Sequence, residues 1–515
     1  MGVPLEQGAP PSVQNVIEAY EQTDRRNMEQ MTINRAIAAT IMAAALCALP
    51  HQAFASNGST SRLFGETRFE TAYEASKKMS RTSGTIIVAS GENFPDALAA
   101  SALAGTENAP ILLTSKDELS GDIERWVNRN QTGKAFIVGG EAAISAKVES
   151  TLKSKGIETE RIAGATRQDT AASIASYISK GERSSTVVIA SSLSPWDSLS
   201  ISPYSNATHS PVFLTDQDGT LSEKTTEAIK ATGATNAIIV GGLSAVKPEA
   251  EEKLQGTMSV ERWAGQTRYE TSQQIADNII SSGTGNTSLV AIASGENFPD
   301  ALAGGPVAGS NRGMLILSPK NDGTAIKNWI LSNRSNIQNC YVLGGCGAIA
   351  PSVFGNIESW LENGSDAAPS TVQSQANATN RANSYLRFMS FSRQGLVHQL
   401  KYEGFSTSDA EFGANSTGAN WSQQALNKAK NYLSFQAFSY QGLINQLTCQ
   451  AEQFTDGQAI YAANNCGANW FDQAAKQAAK YQEIFSFSKS QLISQLIHDG
   501  FTQEQSEYGA TSVGL

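Results

Sequence analysis

A ten-residue segment occurs twice in this chain without change. Ser90-Gly91-Glu92-Asn93-Phe94-Pro95-Asp96-Ala97-Leu98-Ala99 returns as Ser294 to Ala303, and a looser copy, Ser191 to Ser200, stands between them. Asp96, Asp197 and Asp300 share one phase. Other landmarks keep step. Gly65-Glu66-Thr67-Arg68 matches Gly164-Ala165-Thr166-Arg167 and Gly265-Gln266-Thr267-Arg268. Ile137-Val138-Gly139-Gly140 matches Ile239-Val240-Gly241-Gly242 and Val342-Leu343-Gly344-Gly345. Self-similarity at a fixed interval of roughly 100 residues means three tandem copies of one folding unit.

Within the first unit the pattern alternates. Thr67 to Met79 reads as helix, and Thr85 to Ala89 as a short apolar run of the kind a strand covered on both faces shows. Ala97 to Gly105 is an alanine-rich helix ending at glycine, and Ile111-Leu112-Leu113 is a second strand. Asp117 to Asn130 is an amphipathic helix, Ala135 to Val138 a third strand and Ala146 to Lys155 a last helix. Alternation of this kind gives right-handed crossovers and a parallel sheet. The expected fold class is α/β, with three Rossmann-like parallel repeats.

The 515 residues carry a formal net charge of −10, which argues against nucleic acid as the main partner. The four histidines, His51, His209, His398 and His498, are scattered, and no metal-ligand spacing is present in the sequence. The Gly-Gly pairs lack the spacing of a dinucleotide fingerprint and no Gly-Lys-Ser/Thr follows them, so no nucleotide or other cofactor is expected.

Near the start, Arg35 precedes an apolar run from Ala36 to Leu49, followed by Ala53-Phe54-Ala55. A basic residue, a short apolar core and an A-x-A site predict an export signal cleaved after Ala55. No other apolar stretch approaches the length of a membrane span. No membrane association is expected once the signal is removed.

The repeated landmarks resemble the cell wall binding repeat type 2 family of Gram-positive surface proteins, over about 62–361. The resemblance implies a pseudo-threefold ring that holds its protein noncovalently to an anionic secondary polymer of the wall. The family's isoleucine-leucine-leucine signature is matched at Ile111, Leu112 and Leu113. Those three residues therefore join the candidate polymer-binding set.

Arg68, Arg167 and Arg268 recur near the start of a helix, where the dipole disfavours a cation. Two readings stay open. One is ion pairing with Asp96, Asp197 and Asp300; the other is bidentate capture of phosphate or carboxylate on the polymer. Both can hold together. The three aspartates suit helix initiation as well as a ligand crevice at strand ends.

A different repeat, about 48 residues long, follows a polar stretch at 363–379 that reads as a flexible linker. Tyr385, Tyr432 and Tyr481 correspond, as do Leu396, Leu443 and Leu492, and Gly418-Ala419-Asn420-Trp421 recurs at Gly467. A short helix carrying the Tyr and Phe, a second helix capped by Ser392, Ser439 or Ser488, and a short third helix are expected. The pattern resembles the Ltp-type repeat of host cell surface-exposed lipoproteins, over about 382–515, with a third copy that stops before the Ala-Asn-Trp segment. Some members of that family block superinfecting phage. DNA binding is not expected, because Lys and Arg do not outnumber Asp and Glu beyond residue 376.

The expected divisions are 1–55 for the signal and its extension, then 62–156, 157–258 and 259–362 for the α/β repeats. The linker is 363–379, and the all-α units are 382–424, 425–474 and 475–515.

Cys340, Cys346, Cys449 and Cys466 remain after signal removal. Cys449 and Cys466 arrive together in one helical unit only, which suggests a disulfide. Cys340 and Cys346 flank a strand whose extended length would hold them apart.

These readings describe a noncatalytic exported protein, anchored by its repeats and displaying helical units to an unknown protein partner. Phage exclusion or adhesion, and modification of a wall hydrolase, are the alternatives. No catalytic residues are expected.

Overall fold

The computed structural model describes residues 59–80, 82–181, 183–367, 371–484 and 487–515; the expected export signal lies outside them. The chain opens with β1 (Ser59–Leu63) and α1 (Arg68–Ser76). The first sheet follows as β2 (Thr85–Ser90), α2 (Pro95–Thr106), β3 (Ile111–Thr114), α3 (Gly121–Asn130), β4 (Lys134–Val138), α4 (Ala146–Ser154) and β5 (Glu158–Ile162). The second unit runs α5 (Arg167–Ile178), β6 (Thr186–Ala190), α6 (Trp196–Thr208), β7 (Val212–Leu214), α7 (Glu223–Ala231), β8 (Asn236–Val240), α8 (Pro248–Gln255) and β9 (Ser259–Trp263). The third runs α9 (Arg268–Ser281), β10 (Leu289–Ser294), α10 (Pro299–Leu302), α11 (Gly304–Gly309), β11 (Met314–Ser318), α12 (Thr324–Asn333), β12 (Asn339–Leu343) and α13 (Pro351–Glu362).

Three parallel four-stranded sheets result, ordered β3-β2-β4-β5, β7-β6-β8-β9 and β11-β10-β12-β1. The first three strands of the unit, β2, β3 and β4, are the apolar runs, buried along almost their whole length although β3 lies at one edge. Each fourth strand is an edge and was not legible as an apolar run. β5, ETERI, is charged and half exposed, as edges that resist further pairing often are. β1, β5 and β9 each open a sequence repeat yet join the sheet of the preceding one. For β1 that sheet is the third, where Ser59 to Leu63 register with Asn339 to Leu343.

Alanine-rich α2, serine-rich α6 and the glycine-bearing α11 pack together where the three units meet. Glycines at the contact, Gly105, Gly305 and Gly309, let the backbones approach closely. A Cβ on Gly105 would stand 1.9 Å from the carbonyl oxygen of Asn206 in α6. The Asn206 amide donates across the same interface to the Ser101 carbonyl at 3.2 Å.

Beyond α13 the chain is helical. The expected flexible linker is half helix. Thr371 accepts from the Ser374 amide and caps α14 (Val372–Phe388), so a helix begins inside 363–379. Then come α15 (Arg393–Tyr402), α16 (Thr407–Ser416), α17 (Trp421–Phe435), α18 (Tyr440–Thr448), α19 (Asp456–Asn465), α20 (Trp470–Ile484), α21 (Lys489–His498) and α22 (Gln503–Ser512). The first helix of each triplet is long rather than short. Asn420 caps α17, so the Gly-Ala-Asn-Trp segment starts a unit instead of ending one. In that phase the third triplet, α20 to α22, is complete.

The repeated residues have defined work. Leu396, Leu443 and Leu492 are fully buried. Tyr385, Tyr432 and Tyr481 meet Phe391, Phe438 and Phe487 edge to face at 5.6, 5.8 and 5.9 Å between ring centres. Ser392 and Ser439 cap α15 and α18. Their hydroxyls also donate to the next unit, at the carbonyls of Glu452 (2.5 Å) and Asp499 (2.6 Å).

The expected Cys449–Cys466 bond is corrected by the structure, where both are free thiols. Cys449 ends α18, whereas Cys466 lies by Tyr440 at its beginning. Nine helical residues separate the two by roughly 13 Å, beyond the reach of a disulfide. Cys340 and Cys346 are free as well.

Candidate functional site

The C-terminal ends of β2, β6 and β10 lead into the recurring Asp-bearing loops, and those of β4, β8 and β12 into the Gly-Gly loops. Crevices at such strand ends are where open parallel sheets bind ligands. The Phe94 and Phe298 rings pack edge to face at 5.7 Å, so loops of different repeats meet here.

Thr67, Thr166 and Thr267 are N-caps, each hydroxyl accepting from the amide three residues on. This cap places Arg68, Arg167 and Arg268 at the first helical position, with all three side chains exposed. Each guanidinium is anchored on a carbonyl of its own repeat. Arg68 donates to Gly91 at 2.7 Å, Arg167 to Ser192 at 2.8 Å and Arg268 to Gly295 at 2.5 Å. Arg268 also lies 4.5 Å over the Trp196 ring of the preceding repeat, a cation–π contact across the junction.

The aspartates start α2, α6 and α10, in the first turn, as their helix-initiating role requires. Each also presses against the first glycine of a Gly-Gly pair. A Cβ on Gly139, Gly241 or Gly344 would lie 2.6, 2.5 or 2.4 Å from the Oδ2 of Asp96, Asp197 or Asp300. Those glycines have φ of 109, 101 and 89°, the left-handed region, so both space and backbone exclude a side chain.

Burial raises all three carboxyls above their ordinary range, Asp197 to about 6. The opposing cation belongs to the next repeat around the ring: Arg167 acts on Asp96, Arg268 on Asp197 and Arg68 on Asp300. Thr170 and Thr71 hydroxyls further favour ionised Asp96 and Asp300. The arginine and aspartate recurrences therefore act on each other electrostatically between neighbouring repeats rather than within one, without a direct ion pair among the described residues. Sequence phase alone could not reveal this, because the edge-strand exchange sets which units adjoin.

Ile111, Leu112 and Leu113 are corrected as polymer contacts. They are 0 to 1% exposed in β3, covered on both faces, and serve the core. Residues that sequence reasoning missed are Arg62, Arg161 and Arg262, next to last in the edge strands. Arg161 binds the Gly139 and Ile144 carbonyls at 2.8 and 2.9 Å, and Arg262 binds those of Gly241 and Val246 at 2.9 and 3.0 Å. Their recurrence in the sequence was the available signal.

Three copies of one arginine-and-aspartate junction, set among three α/β repeats, mark a tandem-repeat protein. The family described as cell wall binding domain 2 matches residues 62–149, 161–251 and 262–354. The chain belongs to that family. Residues 373–416, 420–466 and 469–513 match the repeat described as host cell surface-exposed lipoprotein.

Two Bacillus subtilis (strain 168) proteins are similar. N-acetylmuramoyl-L-alanine amidase LytC is 31% identical over 302 residues, covering 59% of this chain and 58% of its own length. Amidase enhancer is 31% identical over 263 residues, covering 51% and 35%. The chain thus spans little over half of the first and about a third of the second. Among solved structures, Cwp6 from Clostridium difficile has a TM-score of 0.55 at 24% identity, covering 64% of this chain and 57% of its own. Cwp8 from the same organism has 0.53 at 26%, covering 59% and 51%. Both share the fold.

Proposed function

We propose that the ring is a noncovalent anchor for an anionic cell wall polymer, and that the protein is exported, stays at the cell surface and is not an enzyme. The observation that carries this reading is the triple recurrence of an exposed arginine at a junction between repeats. One N–H of each guanidinium is fixed on a backbone carbonyl, which orients the planar group. The exposed remainder of its fork suits phosphate or carboxylate groups spaced along a polymer. The aspartates place a carboxyl of the adjoining repeat within electrostatic reach of each arginine. A net charge of −10 is compatible with an anionic ligand because binding depends on the local cationic rim.

The helical units are proposed to carry a second, protein-directed interaction. A second functional reading, accessory modification of a wall hydrolase, is favoured by the likeness to the amidase enhancer.

The test is cosedimentation of the full chain with purified walls, beside the triple variant Arg68→Ala, Arg167→Ala, Arg268→Ala. Loss of binding by a variant with unchanged circular dichroism, and release of the parent by salt, are expected. Parent-like binding by the folded triple variant would remove the arginine mechanism.

A further inference from the structure

Each of the three sheets ends on an edge strand whose next-to-last residue is arginine. In β5 and β9 this arginine also meets a carboxylate: Arg161 Nε to Glu149 at 3.0 Å, and Arg262 Nε to Glu251 at 3.3 Å. The acid sits on α4 or α8, the helix that runs directly into the same edge strand. Helix, acid, strand and arginine are thus one continuous stretch of chain.

The third copy is built differently. Arg62 in β1 binds the Gly344 and Ile349 carbonyls at 3.2 and 3.1 Å, in phase with the other two. The position corresponding to Glu149 and Glu251 is Phe354. Its ring lies 4.6 Å from the guanidinium and supplies no carboxylate. Instead Glu411, on α16 of the first helical unit, receives Arg62 Nε at 3.0 Å and Nη2 at 2.8 Å. The Arg62 and Glu411 side chains are 0 and 2% exposed. No short stretch of chain joins β1 to the sheet it completes. The ladder to β12 and these side chains hold it.

The helical array touches both sides of this seam. On the third repeat, Glu358 of α13 receives Lys401 at 2.9 Å and the Thr407 hydroxyl. Arg393 stacks on Phe64, just past β1, at 5.1 Å. On the first repeat, Asp456 at the start of α19 receives Lys77 at 3.1 Å and Arg129 of α3 at 2.7 Å. Gln458 reaches Glu66 at 3.3 Å.

We infer that the first two helical units form a brace across the ring junction that local chain continuity does not close, and that Glu411 is the carboxylate the third repeat lacks. The seam face of the ring is thus an interaction surface whose partner is the chain's own helical array. This holds whatever polymer the ring binds.

Hydrogen exchange on the full-length protein tests it. Glu411→Gln leaves a buried arginine without its counter-charge, which is strongly destabilising locally. Exchange in 59–63 is expected to quicken at least about tenfold, with 158–162 and 259–263 at parent rates. Glu251→Gln, at a continuous junction, is expected to quicken 259–263 less than Glu411→Gln quickens 59–63. Unchanged exchange in 59–63, equal acceleration of all three edges, or an equal effect of Glu251→Gln on its own strand would overturn the inference. Asp456→Asn leaves the Arg62 pair intact and is a second readout. It is expected to quicken exchange in 68–76, and parent rates there would remove the second foot of the brace.

Discussion

Arg62 and Glu411 lie 349 residues apart and meet through two parallel hydrogen bonds of 3.0 and 2.8 Å, both side chains withdrawn from water. Removing either partner strands a buried charge, which costs about 3–5 kcal/mol. Arg62→Leu with Glu411→Leu replaces both by apolar groups and is expected to recover most of that loss. Urea midpoints of the two singles and the double decide it. Burial pushes the Glu411 carboxyl up, but Arg62 and Arg393 outweigh this and hold it below its ordinary value. A depressed acid stabilises the fold above its unfolded pKa. That contribution is lost as pH falls through the lower folded value. Acid is therefore expected to loosen the contact between ring and helical units, and the Leu-Leu double variant should lack this pH dependence.

Asp197 has the opposite sign. Burial lifts its carboxyl to about 6, against the pull of Arg268. A raised acid favours the fold when protonated, so its contribution is full below the unfolded pKa and disappears as pH rises through about 6. Asp197→Asn should flatten that segment of the stability curve. Between pH 4 and 7 the parent is expected to lose up to roughly 3 kcal/mol relative to the variant. Parallel curves from thermal unfolding across that range would contradict the environment described for Asp197.

The parts of this fold that were legible in the sequence are those where one local pattern decides the structure. β2, β3 and β4 announce themselves because both faces are covered, so their central positions are all apolar. Ser392 and Ser439 were legible as caps because capping is read over a few residues. What stayed hidden depends on distant neighbours. β1, β5 and β9 are mostly polar and partly exposed, and their membership of a neighbouring sheet is a tertiary fact. The same exchange hides that Arg167 faces Asp96 and that Arg268 faces Asp197. The Gly-Ala-Asn-Trp segment was placed at a unit's end because recurrence gives period but not phase. Cys449 and Cys466 share a unit, yet co-occurrence does not give direction along α18.

The Gly-Gly pairs are expected to divide sharply. In the second repeat, Gly241 has φ 101°, and a Cβ there would stand 2.5 Å from the Asp197 carboxylate. Gly242 has open space around the same construction. Gly241→Ala should therefore lose on the order of 1–3 kcal/mol through strain and displacement of Asp197. Gly242→Ala should stay within about 0.5 kcal/mol of the parent. Guanidinium unfolding of the two variants separates a packing requirement at the first glycine from a simple need for a flexible turn at both.

The free thiols give a chemical check on the helical units. Cys449 closes α18 and Cys466 closes α19, each partly exposed and each beside a different tyrosine, Tyr432 and Tyr440. With α18 between them, oxidation would require that helix to unwind or slide. The native, unreduced protein is expected to take one alkyl group at each. Cys340 is buried in the third sheet, where desolvation pushes its thiol up to about 12. A thiol held protonated and covered reacts slowly, so Cys340 should be labelled only after unfolding. Cys346 sits in the brace, with Arg393 Nη2 at 3.0 Å and Glu411 at 3.5 Å from its sulfur. Its labelling should quicken in Glu411→Gln as the brace loosens. Peptide mass mapping reads all four sites at once. A Cys449–Cys466 peptide pair linked and two hydrogens lighter would show that the helical unit closes differently from the arrangement described.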